Sequence, residues 1–72
     1  MIKEIDSIGN VALKDNGTMY ILDVNGKSYM INKDHVPKNF SDMKKSYTGI
    51  EQNVSSQNIS TDDIDTLLGR IQ

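Results

Sequence analysis

The chain contains no cysteine, no tryptophan and a single proline among its 72 residues. Without cysteine, neither a disulfide nor a thiolate zinc site can stabilise the fold. A chain of this length buries only about 60% of its extended surface on folding, so its core supplies at most a few kcal/mol. Close packing, self-association or a partner must therefore provide the stability.

The chain also has no apolar run near the roughly 18 residues of a membrane span, and its first residues do not resemble a signal peptide. We therefore expect a cytoplasmic protein without a membrane partner. Ten acidic residues outnumber eight basic ones and give a net charge of −2. Dedicated nucleic-acid-binding proteins usually carry a clear basic excess, so the net charge argues against this class.

Catalytic motifs are missing as well. His35 is the only histidine, and a lone histidine beside an aspartate is usually a surface residue. No serine lies in a nucleophile elbow, and no phosphate-binding glycine loop occurs. Asp62, Asp63 and Asp65 resemble the start of a calcium loop, but the glycine and the distal glutamate of that motif are absent. The sequence thus predicts a protein that is not an enzyme and that needs no metal or cofactor.

Two Asn-Gly pairs interrupt three stretches rich in aliphatic and aromatic residues. Asn-Gly between apolar runs is the strongest short hairpin signal, because a type I′ turn needs positive φ at both central residues. Two such turns, at 16–17 and 25–26, predict a three-stranded antiparallel meander. Two-residue turns would place Leu22 opposite both Val11 and Tyr29.

Alternation along these strands divides the side chains between two faces. One face is strongly apolar and contains Val11, Leu13, Tyr20, Leu22, Val24, Tyr29 and Ile31. The second face carries a smaller apolar strip formed by Ala12, Met19, Ile21 and Met30. Either the N-terminal segment covers this strip with Ile2, Ile5 and Ile8, or the strip is a surface for self-association or for a partner.

A short helix is predicted at about 40–48, where Phe40, Met43 and Tyr47 recur at helical spacing. Asn39 or Ser41 could cap its start, and Gly49 could end it in a left-handed conformation. The stripe should pack on the apolar face of the meander. The polar stretch 51–59 is predicted to be a linker.

Residues 60–72 predict a C-terminal amphipathic helix. Ser60 or Thr61 can cap it, and acidic residues in its first turn complement the helix dipole. Ile64, Leu67, Leu68 and Ile71 form one apolar stripe. The run 61–68 resembles the short segment by which flagellar switch proteins bind their response regulator, although it lies at the opposite end of the chain, so no function is transferred.

The expected fold is therefore α+β: a meander-plus-helix module at 1–50, a linker at 51–59 and a tethered helix at 60–72. The helix either fills a groove on a larger protein or packs back on its own meander. We expect a small protein-binding module, an adaptor or inhibitor of phage or mobile-element type. Its partner-binding residues would be Asp62, Asp63, Ile64, Asp65, Leu67, Leu68 and Ile71.

Two other functions stay open at this stage. A self-associating subunit of a larger assembly is one, because a three-stranded sheet has two open edges. A weaker possibility is contact with nucleic acid through a lysine patch. That patch would consist of Lys33, Lys38, Lys44 and Lys45.

Overall fold

The computed structural model describes all residues 1–72 and has the expected α+β class, with an antiparallel sheet and three helices. The strands follow one another in space in chain order. They are β1 (Lys3–Ile8), β2 (Val11–Asp15), β3 (Met19–Val24) and β4 (Lys27–Asn32). The helices are α1 (Phe40–Ser46), α2 (Ile50–Ser56) and α3 (Thr61–Gly69).

The sheet has four strands, so the prediction of three was wrong in this detail. β1 pairs with β2 through a two-residue turn that places Ile8 opposite Val11. The register shifts between Glu4 and Asp6, because Ile5 is an extra residue in a β-bulge. The bulge breaks the period of two by which a strand is recognised. Because β1 extends the sheet beside β2, the N-terminal segment does not cover the second face, and that alternative is wrong.

The turn at Asn25–Gly26 is confirmed, with φ values of 50° and 90° that match a type I′ turn. The loop after β2 differs from the prediction. Leu13 pairs with Leu22 rather than with Tyr20, so four residues, 16–19, connect the paired Asp15 and Tyr20. This shift by two residues keeps every side chain on its predicted face.

Side-chain hydrogen bonds explain the longer loop. Asn16 Oδ1 accepts from the main-chain N of Thr18 (2.9 Å) and of Met19 (2.8 Å), and Asp15 Oδ1 accepts from Gly17 N (2.7 Å). Such local bonds compete with a tight turn. Lys33 Nζ also lies 3.0 Å from Asp15 Oδ1 and ties the loop to the end of β4.

Acid should weaken the fold partly through Asp15. The Gly17 N–H, and then Lys33, hold the pKa of this carboxyl below its ordinary value of 3.8. The Asp15 carboxyl of the folded state therefore binds a proton more weakly than that of the unfolded state. The resulting stabilisation is fully present above the ordinary pKa of 3.8 and is lost as the pH falls through the lower pKa of the folded state. In urea titrations at neutral and acid pH, Asp15→Asn should lose less stability on acidification than wild type. Asp34→Asn is the control, because it removes a carboxylate that takes part in no ion pair. If D15N and wild type lost the same stability on acidification, Asp15 would not be a source of the acid sensitivity.

All three helices cover the strongly apolar face of the sheet. The core contains strand residues from β2, β3 and β4 together with Phe40 and Met43 of α1, Ile50 and Val54 of α2, and three residues of α3. α1 lies where a helix was predicted, and Asn39 Oδ1 accepts from Asp42 N (3.0 Å). The helix ends at Ser46, earlier than predicted, and Gly49 begins α2 instead of ending α1. None of the helices has the length and apolar character needed to cross a membrane.

The stretch 51–59, predicted to be a polar linker, is largely helical. Gly49, with φ of 88°, turns the chain into α2, and Ile50 and Val54 place one apolar contact per turn on the core. Asn53 Nδ2 donates to Tyr29 Oη (3.2 Å), and Asn25 Nδ2 donates to Gln57 Oε1 (2.8 Å). Polar contacts therefore add to the apolar ones at this helix, and its many polar residues leave little helical pattern in the sequence.

Candidate functional site

The apolar stripe of α3 packs on its own sheet. Ile64, Leu67 and Leu68 are completely buried, and Ile71 is half-buried against the same core. α3 lies against β1, β2 and α1. In this folded state the three buried side chains cannot contact a partner, so helix-in-groove docking would require α3 to leave the core. That docking role stays a prediction.

The acidic residues of α3 differ in their surroundings. Asp65 Oδ1 accepts from Phe40 N at 2.7 Å, so this carboxylate from one helix satisfies a free N–H at the start of another. Asp62 is exposed and Asp63 is partly exposed. Neither carboxylate takes part in an ion pair. Of the seven predicted partner-binding residues, these two keep a charged group free.

Asp65 should therefore act in stability rather than in docking. We expect Asp65→Ala to lower the free energy of unfolding by about 1 kcal/mol, the usual cost of losing a helix cap. Asp65→Asn keeps an acceptor for Phe40 N and should lose less. Urea unfolding followed by circular dichroism measures both variants, and equal losses in the two would show that the hydrogen bond is not the cause.

The four predicted lysines do not share one environment. Lys33 pairs with Asp15, and its Nζ lies 4.9 Å from the centre of the Tyr20 ring. Lys45 lies 3.7 Å from Asp42, while Lys38 and Lys44 are exposed without an ion pair. Half of the predicted patch is thus locally neutralised, and contact with nucleic acid stays a prediction.

The second face of the sheet carries no helix. We call it the open face and define it by two cross-strand rows read from the pairing. One row is Glu4, Lys14, Ile21 and Met30, and the other is Ser7, Ala12, Asp23 and Ser28. Met19 lies on the same face at the next position of β3.

The centre of the open face is apolar. Ile21 is 7% exposed yet lies outside the main core cluster, because it faces away from the helices. Its neighbour Met30 is 42% exposed. Lys14 Nζ lies 3.4 Å from Asp23 Oδ2, and this ion pair flanks the apolar centre. The arrangement offers an apolar patch with charged and hydroxyl groups at its border.

Large exposed hydrophobic residues occur only in the sheet and the residues before it. They are Met1, Ile2, Ile5 and Met30. The helical layer exposes none. The most exposed apolar side chains that a partner could contact without unfolding therefore lie on the open face, along β1 or just before β1.

Some main-chain N–H and C=O groups on the two edge strands, β1 and β4, already have hydrogen-bond partners. On β4, Tyr47 Oη donates to Met30 O (2.5 Å), and His35 N donates to Asn32 O (3.0 Å). On β1, Ser7 N donates to Asp6 Oδ1 (2.9 Å), and the bulge at Ile5 interrupts the edge. Bulges and occupied groups hinder edge-to-edge pairing, so a face is more accessible than an edge.

Other sites are not apparent. His35 is exposed in the turn after β4. No pocket opens in the surface, and no three His, Asp or Glu side chains converge as metal ligands would. Comparison with protein-family models, curated proteins and solved structures finds no significant match.

Proposed function

We propose that this protein is a small protein-binding module of the cytoplasm that acts as an adaptor or inhibitor of a larger protein without catalysis, as phage and mobile-element regulators do. The open face of the sheet, rather than the C-terminal helix, is its docking surface. The observation that carries the proposal is the exposed Met30 beside Ile21, on a face that no helix covers. Methionine suits such a surface because its flexible thioether adapts to a partner's shape.

Free energy favours the open face over α3 as the docking element. Burying an aliphatic side chain contributes about 1.5–3 kcal/mol, so exposing Ile64, Leu67 and Leu68 would cost roughly 4.5–9 kcal/mol. A chain of this size has a net stability of roughly 3–5 kcal/mol. Release of α3 would therefore cost as much as the whole stability of the fold or more, whereas the open face is accessible without rearrangement.

The chemistry of the open face indicates the kind of partner surface that fits. A sheet face without a pocket matches a flat protein surface with an apolar centre. Ser7 and Ser28 offer hydroxyl groups, and Glu4 offers an exposed carboxylate without an ion pair. A partner with a basic group at the border of its apolar patch would complement this pattern.

Self-association is the second candidate. Ile2 and Ile5 are 61% and 39% exposed, and both lie at or beside the edge strand β1. Two copies that meet along β1 would bury these side chains. In this case the purified chain would cross-link to itself, and its apparent mass in light scattering would rise with concentration.

Site-specific photo-cross-linking tests the proposal. A photoreactive amino acid replaces Met30 on the open face in one variant and the exposed Gln52 on α2 in a control. We expect a discrete heterologous product from position 30 in the source cells and none from position 52. Equal labelling from both positions would contradict docking through the open face, and a product of twice the chain mass would favour self-association.

A further inference from the structure

The two Asn-Gly pairs are potential sites of a spontaneous covalent change. In such a pair the glycine N can attack the asparagine Cγ, form a five-membered succinimide and release ammonia. Water then opens the ring to aspartate or to isoaspartate, in which the main chain runs through Cβ. Glycine permits this ring closure because it has no side chain to obstruct the approach.

The side-chain carbonyl of Asn16 is set up for this reaction. Its Oδ1 accepts two main-chain hydrogen bonds, from Thr18 N at 2.9 Å and from Met19 N at 2.8 Å. Attack on Cγ moves negative charge onto this oxygen. Two fixed N–H donors on that atom act as an oxyanion hole, and such donors are effective because they need no reorganisation during the reaction.

The nucleophile of this pair, Gly17 N, also has a proton acceptor beside it. Gly17 N donates to Asp15 Oδ1 at 2.7 Å, so a carboxylate receives the proton that nitrogen must lose. Lys33 Nζ lies 3.0 Å from the same oxygen and favours the ionised carboxylate. Nucleophile, proton acceptor and oxyanion donors therefore meet within residues 15–19.

Asn25 provides an internal comparison. Its glycine is held similarly, since Gly26 N donates to Asp23 Oδ1 at 3.0 Å. Its side chain differs, because Asn25 Nδ2 donates to Gln57 Oε1 at 2.8 Å and no hydrogen bond reaches Asn25 Oδ1. The leaving nitrogen thus donates to the C-cap residue of α2, and the carbonyl oxygen lacks the donors that Asn16 has.

We propose that Asn16 is a self-modification site that deamidates in the folded protein, whereas Asn25 is protected. The bond from Gly17 N to Asn16 Cγ forms, the Cγ–Nδ2 bond breaks, and the Gly17 proton passes through Asp15 to the departing ammonia. One water molecule then hydrolyses the succinimide. The product has one more negative charge than the net −2 of the unmodified chain.

The two products have different effects on the fold. Aspartate at position 16 keeps an acceptor for both N–H donors, so the loop should persist. Isoaspartate lengthens the main chain between Asp15 and Gly17 by one carbon, which conflicts with the pairing of Asp15 and Tyr20 at the ends of the loop. The modification therefore adds charge to one end of the sheet and, in the isoaspartate form, loosens it.

Peptide mass spectrometry of the intact chain, incubated in mildly alkaline buffer and then digested, tests the proposal. We expect Asn16 to convert at least about tenfold faster than Asn25. This factor is smaller than the roughly 100-fold or greater effect of one oxyanion-hole donor in an enzyme. We also expect its rate in the folded chain to be no lower than in the same chain unfolded in urea. Slower conversion of Asn16 on folding would overturn the proposal, because the hydrogen bond of Gly17 N would then be protective.

A variant at the residue that follows α2 adds a matched control. Gln57→Ala removes the partner of Asn25 Nδ2 without touching residues 15–19. It should accelerate conversion at Asn25 and leave the rate at Asn16 unchanged. Equal rates at the two asparagines in the wild-type chain would also overturn the proposal.

Discussion

Replacing Leu68 with alanine is expected to lower the free energy of unfolding by about 2–5 kcal/mol. The side chain is completely buried in the core, in a helix that packs on β1, β2 and α1. Truncation removes its transfer free energy and leaves a cavity that the neighbours fill only in part. Since a chain of this size has a net stability of roughly 3–5 kcal/mol, this one change should bring it close to unfolding.

Urea denaturation followed by circular dichroism measures this effect. Thr66→Ala is the matched control on the same helix, because Thr66 is exposed and its hydroxyl bonds only to the Asp62 carbonyl. The control should stay within about 0.5 kcal/mol of wild type. If L68A lowered the free energy of unfolding by no more than this control does, α3 would contribute little to the core. That result is expected of a tethered helix that packs only on a partner.

Replacing Met30 with glutamate is expected to weaken partner binding by at least tenfold, about 1.4 kcal/mol. A carboxylate at the apolar centre of the open face would be desolvated in the complex without a partner charge. The unfolding free energy should change by less than about 1 kcal/mol, because Met30 is exposed and lies outside the core cluster. Binding and stability are thus predicted to separate at this position.

Titration of the partner identified by cross-linking measures the loss. Gln52→Glu introduces the same charge at an exposed site on α2 and should bind like wild type. Equal weakening by M30E and Q52E would indicate a general charge effect. Wild-type affinity for M30E would exclude the open face as the docking surface.

The parts of the fold that local chemistry decides could be predicted from the sequence. Asn25–Gly26 requires positive φ at both positions, so its hairpin and register follow from two residues. The helices α1 and α3 begin at the side-chain caps Asn39 and Ser60, which the sequence also indicates. The predicted assignment of the side chains of β2, β3 and β4 to two faces is correct although the predicted loop was too short. A register shift by two residues leaves each side chain on the same face.

The remaining features depend on contacts between distant residues. The bulge at Ile5 removes the strand period from β1, and α2 has only Ile50 and Val54 as its buried residues. The other five residues of that helix are polar, so its sequence resembles a loop. α2 packs through Ile50 and Val54 and through the hydrogen bond from Asn53 to Tyr29, a residue 24 positions away in the chain.

The candidate site was predictable only as one of several alternatives. An apolar stripe such as that of α3 has the same sequence whether it fills a partner's groove or its own core. Which of these occurs depends on whether the sheet offers enough apolar surface to receive it. The open-face strip that includes Ile21 and Met30 is visible in the alternation of β3 and β4, but its exposure follows from the placement of β1 at the edge.

Hydrogen exchange of the isolated chain, followed by NMR, tests the central claim most directly: α3 belongs to the core, and this leaves the open face for a partner. The amides of Leu67 and Leu68 should exchange as slowly as those of Leu13 and Leu22, because only global unfolding would expose them. Exchange at Leu67 and Leu68 as fast as in a short unstructured peptide, with the strands still protected, would contradict the account.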